Sequence, residues 1–546
     1  MKKRNVIKKL TSVSIIILLL INLYSLVFSS DNNDKYIRIG LKRPLKSDNQ
    51  VKITSVNGIE IGQFDNEFKN LFTLNDKCYT VRLDGYYDIQ NEEYIFINKD
   101  NENEIKPEIG PYHIELSKTF DTYSETIKEI EKIKNLSVQA YPVYKNGFKI
   151  WIGQYPSEEL AEKDIKRLKD IDEGITLVSN NDKRVVIQDE KENIILMFNV
   201  KENIYLKAKE LNKEAIIGVE DNNYRDYLTF NVHENKLIVI NYVKLNHYLY
   251  GVVPREMSYD WPLEALKAQA VAARNYTIVN LNKHSDLGYD LCDTQDCQVY
   301  GGYDWEHSKT NKAVKETRNK LIKYMGKPIY AYYHSSSGGH TENSENIWTS
   351  HVPYLRGVKD EFSLNSPNAE WELVLKKDEI QNELKESEIN VGEVVAFEPI
   401  NYSEHGRVLE LKIEGTDDIE ILEKEKVRYI FGTSKVKSTQ FNVSTDSDVY
   451  IMDGYDSNTV KTALRKTSVI TGDGTTILSK NFDKEFVITN GINERKIPVI
   501  PKTYVLKGKG WGHGLGMSQW GAKRMAELGY NYKQILEYYY TGTKVE

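Results

Sequence analysis

The chain has 546 residues, 40% of them hydrophobic and 28% charged, which exceeds one hydrophobic core and excludes a largely disordered polypeptide. Lys and Arg total 73 against 80 Asp and Glu, a formal charge of −7, so no global positive field favours a nucleic-acid partner. Three cysteines exclude a disulfide scaffold, and 37 tyrosines supply rings for core packing or for stacking on sugars.

Residues 1–30 carry an export pattern. Lys2, Lys3, Arg4, Lys8 and Lys9 stand without an acid, an apolar stretch runs from Val13 to Phe28, and Ser29, Ser30 and Asp31 follow. The segment reads as a signal peptide cut near Ser29 or Ser30 or, with residues 6–28 retained, as a membrane anchor just long enough to span a bilayer. Both readings place the rest of the chain outside the cytoplasm.

Residues 31–125 form a β-rich domain of short runs, Tyr36 to Leu41, Val51 to Val56, Cys78 to Leu83 and Tyr94 to Ile97, with turn signals at Asn57-Gly58 and Asp84-Gly85. Residues 126–214 form a second domain. It begins with a charged helical or linker stretch and continues with a hairpin turning at Asn146-Gly147. Ser157 then caps a helix with Glu158 and Glu159 in its first turn and Leu160, Ala161, Ile165 and Leu168 on its apolar face. Val138-Gln139-Ala140, Gly153-Gln154-Tyr155 and Ser157-Glu158-Glu159 resemble half of a SPOR domain, an exported module that binds peptide-stripped peptidoglycan; a generic α+β support domain is the alternative. From residue 215 the β pattern resumes and leads into the most informative third of the chain.

Four segments there carry chemistry. In the first, Glu256 sits between Val252, Val253, Met257 and Trp261, just before a helix over Leu263 to about Asn280 that Asp260 can cap. A carboxyl among apolar neighbours holds its proton to higher pH, as a general acid needs. In the second, His284, Cys292 and Cys297 offer three zinc ligands and an open fourth position, or Cys292 and Cys297 form a short-loop disulfide; the spacing favours neither. Cys78 reads as a buried thiol. The third, Tyr332 to Asn343, is a dense row of hydroxyl, amide and imidazole groups suited to a ligand rich in the same groups, and it lacks the phosphate-loop pattern. In the fourth, Gly508 to Gly516 alternate, so an extended strand would show glycine on one face and Trp511, His513, Leu515 and Met517 on the other, with Ser518 capping a helix that ends at Gly529.

Taken in order, these segments resemble the SpoIID/LytB family of stage II sporulation protein D and amidase-enhancer proteins. The strings that carry the resemblance are Val253-Pro254-Arg255-Glu256-Met257, Glu264 to Arg274, Cys297 to Gly302, Ser335 to Thr341 and Gly510 to Gln519. It covers about Val232 to the C-terminus, so residues 215–546 are the expected catalytic domain. The resemblance implies a peptidoglycan lytic transglycosylase with Glu256 as its single catalytic acid/base. Attack by the muramic acid's own hydroxyl removes the need for the second carboxylate of ordinary glycosidases. It also implies zinc on His284, Cys292 and Cys297, and a cleft drawn from Gln269, Arg274, Gln298, Tyr300, Ser336, Ser337, His340, Trp511, His513 and Gln519. The implied partners are peptidoglycan glycan strands, intact or peptide-stripped, and a cell-wall amidase. A non-catalytic glycan binder that enhances such an amidase is the competing reading; a zinc peptidase is disfavoured because no His-Glu-x-x-His string is present. The expected fold is α+β, a mixed catalytic domain with a substrate cleft preceded by β-rich accessory domains.

Overall fold

The computed structural model describes residues 35–546 except 89–92, 96–110, 135–137, 156, 180, 182, 211–214, 453–458, 471–472, 475, 479–484 and 490. The export segment at 1–30, and with it the choice between signal peptide and anchor, lies outside the described residues. Among the described residues no helix is long and apolar enough to cross a membrane. The fold is mixed α+β with a β-rich N-terminal region, as expected.

The chain divides into two compact units: residues up to Tyr259 with Thr277–Asn319, and Asp260–Tyr276 with Lys320–Glu546. The first unit holds a seven-stranded and a ten-stranded sheet. In the seven-stranded sheet, Tyr36–Leu41 lies between Lys236–Lys244, antiparallel, and the short strand Leu291–Cys292, parallel. Alternation sends Ile37, Ile39, Val239 and Val243 into the core. Tyr36, Tyr227 and Tyr242 point to the other face, where they pack against one another. The ten-stranded sheet joins Cys78–Leu83 to Arg184–Gln188 and Gln50–Thr54, and contains the hairpin Ala140–Tyr144/Phe148–Tyr155. Asn146 and Gly147 take positive φ at that turn. Strand pairing therefore crosses the boundaries expected at 125/126 and 214/215, because short β runs complete their ladders with partners far along the chain.

The helix Glu158–Leu168 starts where expected, with the Ser157 side chain accepting from the Leu160 N–H, but Leu160 itself is exposed while Ala161 and Leu168 are buried. A hairpin over Ile59–Asp65 and Glu67–Leu74, which the run-by-run reading passed over, turns at Asn66 with φ +62°.

In the second unit, Thr503–Lys509 is the centre of a three-stranded sheet between Glu370–Lys376 and Phe441–Thr445. A second sheet, Val394–Tyr402/Val408–Gly415/Ile419–Glu423, shares its core through Phe397, Leu411, Ile413, Tyr504 and Leu506. Met517–Ser518 pairs in parallel with Tyr333–His334, which brings the third and fourth sequence segments side by side.

Candidate functional site

Glu256 is the last residue of a helix, Leu245–Glu256, and not part of a loop ahead of one. Pro254 sits inside its final turn; lacking an N–H it cannot extend the ladder, and the helix closes with the Met257 N–H donating to the Val253 carbonyl at 3.0 Å. Val252, Val253 and Met257 are buried, and Glu256 is half-buried. Tyr300 packs against the same helix where Gly251 lacks a side chain: a Cβ there would stand 2.6 Å from the ring. Tyr300 donates to Asn241 Oδ1 at 3.0 Å and Gln298 accepts from Thr277 Oγ1 at 2.9 Å; both are 2% exposed and act as buried supports of this wall.

The structure brings His284, Cys292 and Cys297 together and adds Asp296, which sequence reasoning passed over although it directly precedes Cys297. One ligand atom from each of the four lies within 4.8 Å of all the others. His284 Nε2 is 3.3 Å from Cys297 Sγ and 3.1 Å from Asp296 Oδ2. The two cysteines are free thiols, so the disulfide alternative is not formed. Hydrogen bonding from the Cys297 thiol, outweighing burial, lowers Cys292 to about 5, and sharing that proton pushes Cys297 up. Two sulfurs, one imidazole and one carboxylate are a donor set that suits zinc. The cluster's loop is held by distant residues: Asp290 pairs with Arg38 at 3.0 Å, and Asp293 accepts from the backbone N–H groups of Lys42 and Arg43 at 3.0 and 3.1 Å. Cys78, in contrast, is half-buried at a strand start, with its thiol pushed up by burial.

Gln269, Arg274, Ser336, Ser337, His340, Trp511, His513 and Gln519 belong to the second unit. Gln269 and Arg274 are buried in the helix Leu263–Val279, and Gln519 Nε2 donates to Gln269 Oε1 at 3.5 Å. Ser336 and Ser337 are fully buried. Ser336 Oγ lies 2.8 Å from Ser366 Oγ, and Ser337 Oγ donates to Asp360 Oδ2 at 2.7 Å, so these hydroxyls brace the loop. Trp511 exchanges backbone hydrogen bonds with Ser336 and remains 37% exposed. His340 stacks on His405 with centroids 3.9 Å apart.

The alternating glycines do not form a flat strand. Regular pairing stops at Lys509, and Gly510, Gly512, Gly514 and Gly516 take φ of +73°, +112°, +82° and +66°. The alternation serves left-handed backbone at every second residue, which only glycine adopts cheaply. Arg407 fills the space this creates: it is 1% exposed and donates to the carbonyls of Ser337 and Gly512, each at 3.4 Å. His513, inside the loop, accepts at Nδ1 from the Leu515 N–H at 3.0 Å. Burial, with the charges of Arg428 and Arg407 adding to it, lowers His513 to about 3. Ser518 caps the next helix, accepting from the Gly521 N–H at 3.1 Å.

A helix-borne glutamate and a thiolate-rich cluster in one unit, with a glycine-rich loop and a serine-rich loop paired in the other, define the class. Residues 233–324, which hold Glu256 and the whole cluster, match the family model described as Stage II sporulation protein. Over this stretch the chain is similar to the SpoIID/LytB family, in keeping with the sequence strings that carry the resemblance. Residues 354–460, which include Arg407 and His405, match a domain of unknown function, DUF8618. The chain is 35% identical over 304 residues to the amidase enhancer of Bacillus subtilis (strain 168), a match covering 54% of this chain and 40% of that protein's length. It is 26% identical over 318 residues to Stage II sporulation protein D of the same organism, covering 56% and 74%. An uncharacterized protein of Brachyspira hyodysenteriae is 29% identical over 359 residues, covering 63% and 81%.

Proposed function

We propose that the chain acts outside the cytoplasm on the cell wall, as a peptidoglycan lytic transglycosylase with Glu256 as general acid and base. The observation that supports this most is the setting of Glu256. It lies at the C-terminal end of a helix, where the negative end of the dipole disfavours a carboxylate, and beside buried Val252, Val253 and Met257. Both effects weigh against the carboxylate, while the charge of Arg255 beside it weighs for it.

Glu256 donates its proton to the bridging oxygen of the MurNAc–GlcNAc bond as the bond breaks. As a carboxylate it then takes the proton of the muramic acid's primary hydroxyl, whose oxygen bonds to the same anomeric carbon. The product is an anhydromuramoyl end, and no water is consumed. Tethering gives that hydroxyl a high effective molarity, so one carboxyl suffices. His284, Cys292, Asp296 and Cys297 would hold a zinc ion, which when bound supplies a fixed charge and cross-links the loop from residue 284 to residue 297. The likeness to a protein named amidase enhancer supports a second reading, a glycan binder that stimulates a cell-wall amidase. Incubating the exported chain and its Glu256→Gln form with peptidoglycan separates the two: cleavage lost in the variant supports the enzyme, and glycan binding without cleavage supports the enhancer.

A further inference from the structure

A second feature of the first unit stands beside Glu256 and is used by none of the chemistry above. The turn Tyr303–Trp305 leaves Trp305 47% exposed, and Tyr259 is 46% exposed. Single exposed rings are ordinary on protein surfaces. Here, however, the backbone under Trp305 is pinned from both sides. Asp304 accepts from the Asn223 N–H and Nδ2 at 2.8 and 2.9 Å. Glu306 accepts from Arg225 Nε and Nη2 at 2.6 and 3.0 Å, and that guanidinium lies 4.7 Å from the Tyr303 ring centre. Gly301 approaches the indole so closely that a Cβ there would stand 2.5 Å from it. Two residues on, His307 caps the helix Ser308–Glu316 and stacks on Tyr259, with centroids 4.1 Å apart and planes 17° from parallel. A rigid mount for exposed aromatic rings is what a stacking surface requires, because little side-chain freedom remains to be lost on binding.

Arg255 brings charge to this ridge. Its guanidinium carbon lies 3.8 Å from the Trp305 ring centre. Its Nε is buried without a hydrogen-bond partner. Burial first, and then the charge of nearby Arg43, push Arg255 down, with only Glu256 acting the other way. Arg43 is itself exposed. Two arginines thus share a field with one carboxyl, the neighbour proposed to spend part of each cycle protonated. With Glu256 as the one carboxyl acting on it, a bidentate fork beside an indole suits a further carboxylate carried on a sugar ring.

We propose that Trp305, Tyr259 and Arg255 form a glycan subsite that takes a carboxylate-bearing sugar, the ring on Trp305 and the carboxylate on Arg255. The assignment rests on the peptidoglycan reading for its ligand: the lactyl ether of muramic acid is the sugar-borne carboxylate of that polymer. It adds a specificity that Glu256 alone does not give, because an uncharged N-acetylglucosamine oligomer stacks but brings Arg255 no carboxylate.

The test is calorimetric titration of the exported chain carrying Glu256→Gln, so that nothing is turned over. The two probes are an N-acetylglucosamine tetrasaccharide and an alternating tetrasaccharide with free muramic carboxylates. The expected result is about tenfold tighter binding of the carboxylate form at low salt. Adding Arg255→Met removes that preference and leaves the uncharged oligomer within about twofold, Arg255→Lys retains part of it, and Trp305→Ala weakens both ligands about tenfold. A preference that survives Arg255→Met, or affinities unmoved by Trp305→Ala, overturns the subsite while leaving the peptidoglycan reading intact. Absence of binding to either oligomer overturns both.

Discussion

Replacing Gly514 by alanine probes whether Arg407 shapes the glycine-rich loop. At φ +82°, an alanine pays the left-handed penalty of about 1–2 kcal/mol. Its Cβ would also stand 2.3 Å from Arg407 Nη2 and 2.4 Å from Cζ, against 3.4 Å or more for ordinary contact. The guanidinium cannot swing away cheaply, since Arg407 is 1% exposed and contacts the carbonyls of Ser337 and Gly512 and Thr439 Oγ1, all at 3.4 Å. Displacing those charge-assisted contacts costs about 1.5–3 kcal/mol, so Gly514→Ala is expected to destabilise by about 3–5 kcal/mol. In an Arg407→Met background the alanine meets a slimmer, flexible chain and mostly the backbone strain remains, about 1–2 kcal/mol. Urea denaturation of the four proteins should therefore give a coupling of about 2 kcal/mol. Costs additive to within about 0.5 kcal/mol would refute the idea that the two residues meet.

Further expectations concern protons and metal. His513 is depressed to about 3, whereas an unfolded histidine titrates near 6.5, so its stabilising effect is complete above about pH 6.5 and is lost as pH falls toward 3. His513→Asn should flatten the decline of unfolding free energy between pH 6.5 and 5 by about 1 kcal/mol per pH unit; an unaltered slope contradicts the neutral imidazole. Asp296→Asn should weaken zinc binding at least about tenfold in competition with a colorimetric chelator, and an unchanged affinity removes Asp296 from the ligand set. Saturating zinc at about a thousand times its dissociation constant should stabilise the protein by about 4 kcal/mol, read as a shift in thermal midpoint that a chelator reverses.

How much of this was legible in the sequence depended on how local the cause was. Caps and turns were readable, as at Ser157, Asn146-Gly147 and Ser518, because a side chain three residues from its partner leaves its signature in the string. The spacing of His284, Cys292 and Cys297 left a metal site and a disulfide equally open until the fold placed them beside Asp296, which was passed over because a lone acid next to a cysteine is indistinguishable from a solvated loop residue. The glycine alternation was visible but mistaken in kind: period two suits both a strand face and left-handed backbone at every second residue, and only Arg407, a hundred residues earlier, decides between them. Nothing near Arg407 announces that role, and nothing near Tyr36–Leu41 announces its pairing with Lys236–Lys244 and Leu291–Cys292. The helix around Glu256 was hidden by Pro254, which reads as a helix breaker and here stands in a final turn. Ser336 and Ser337 looked like ligand contacts because hydroxyl-rich loops bind polar ligands, yet their hydroxyls hold Ser366, Ser363 and Asp360.

The proposed chemistry is tested most directly by mass spectrometry of glycan fragments released when residues 31–546 are incubated with purified peptidoglycan, intact and peptide-stripped, beside their Glu256→Gln form. The account predicts fragments ending in anhydromuramic acid on at least one substrate, absent from the variant. Reducing ends in their place, or fragments that persist in Glu256→Gln, would contradict it.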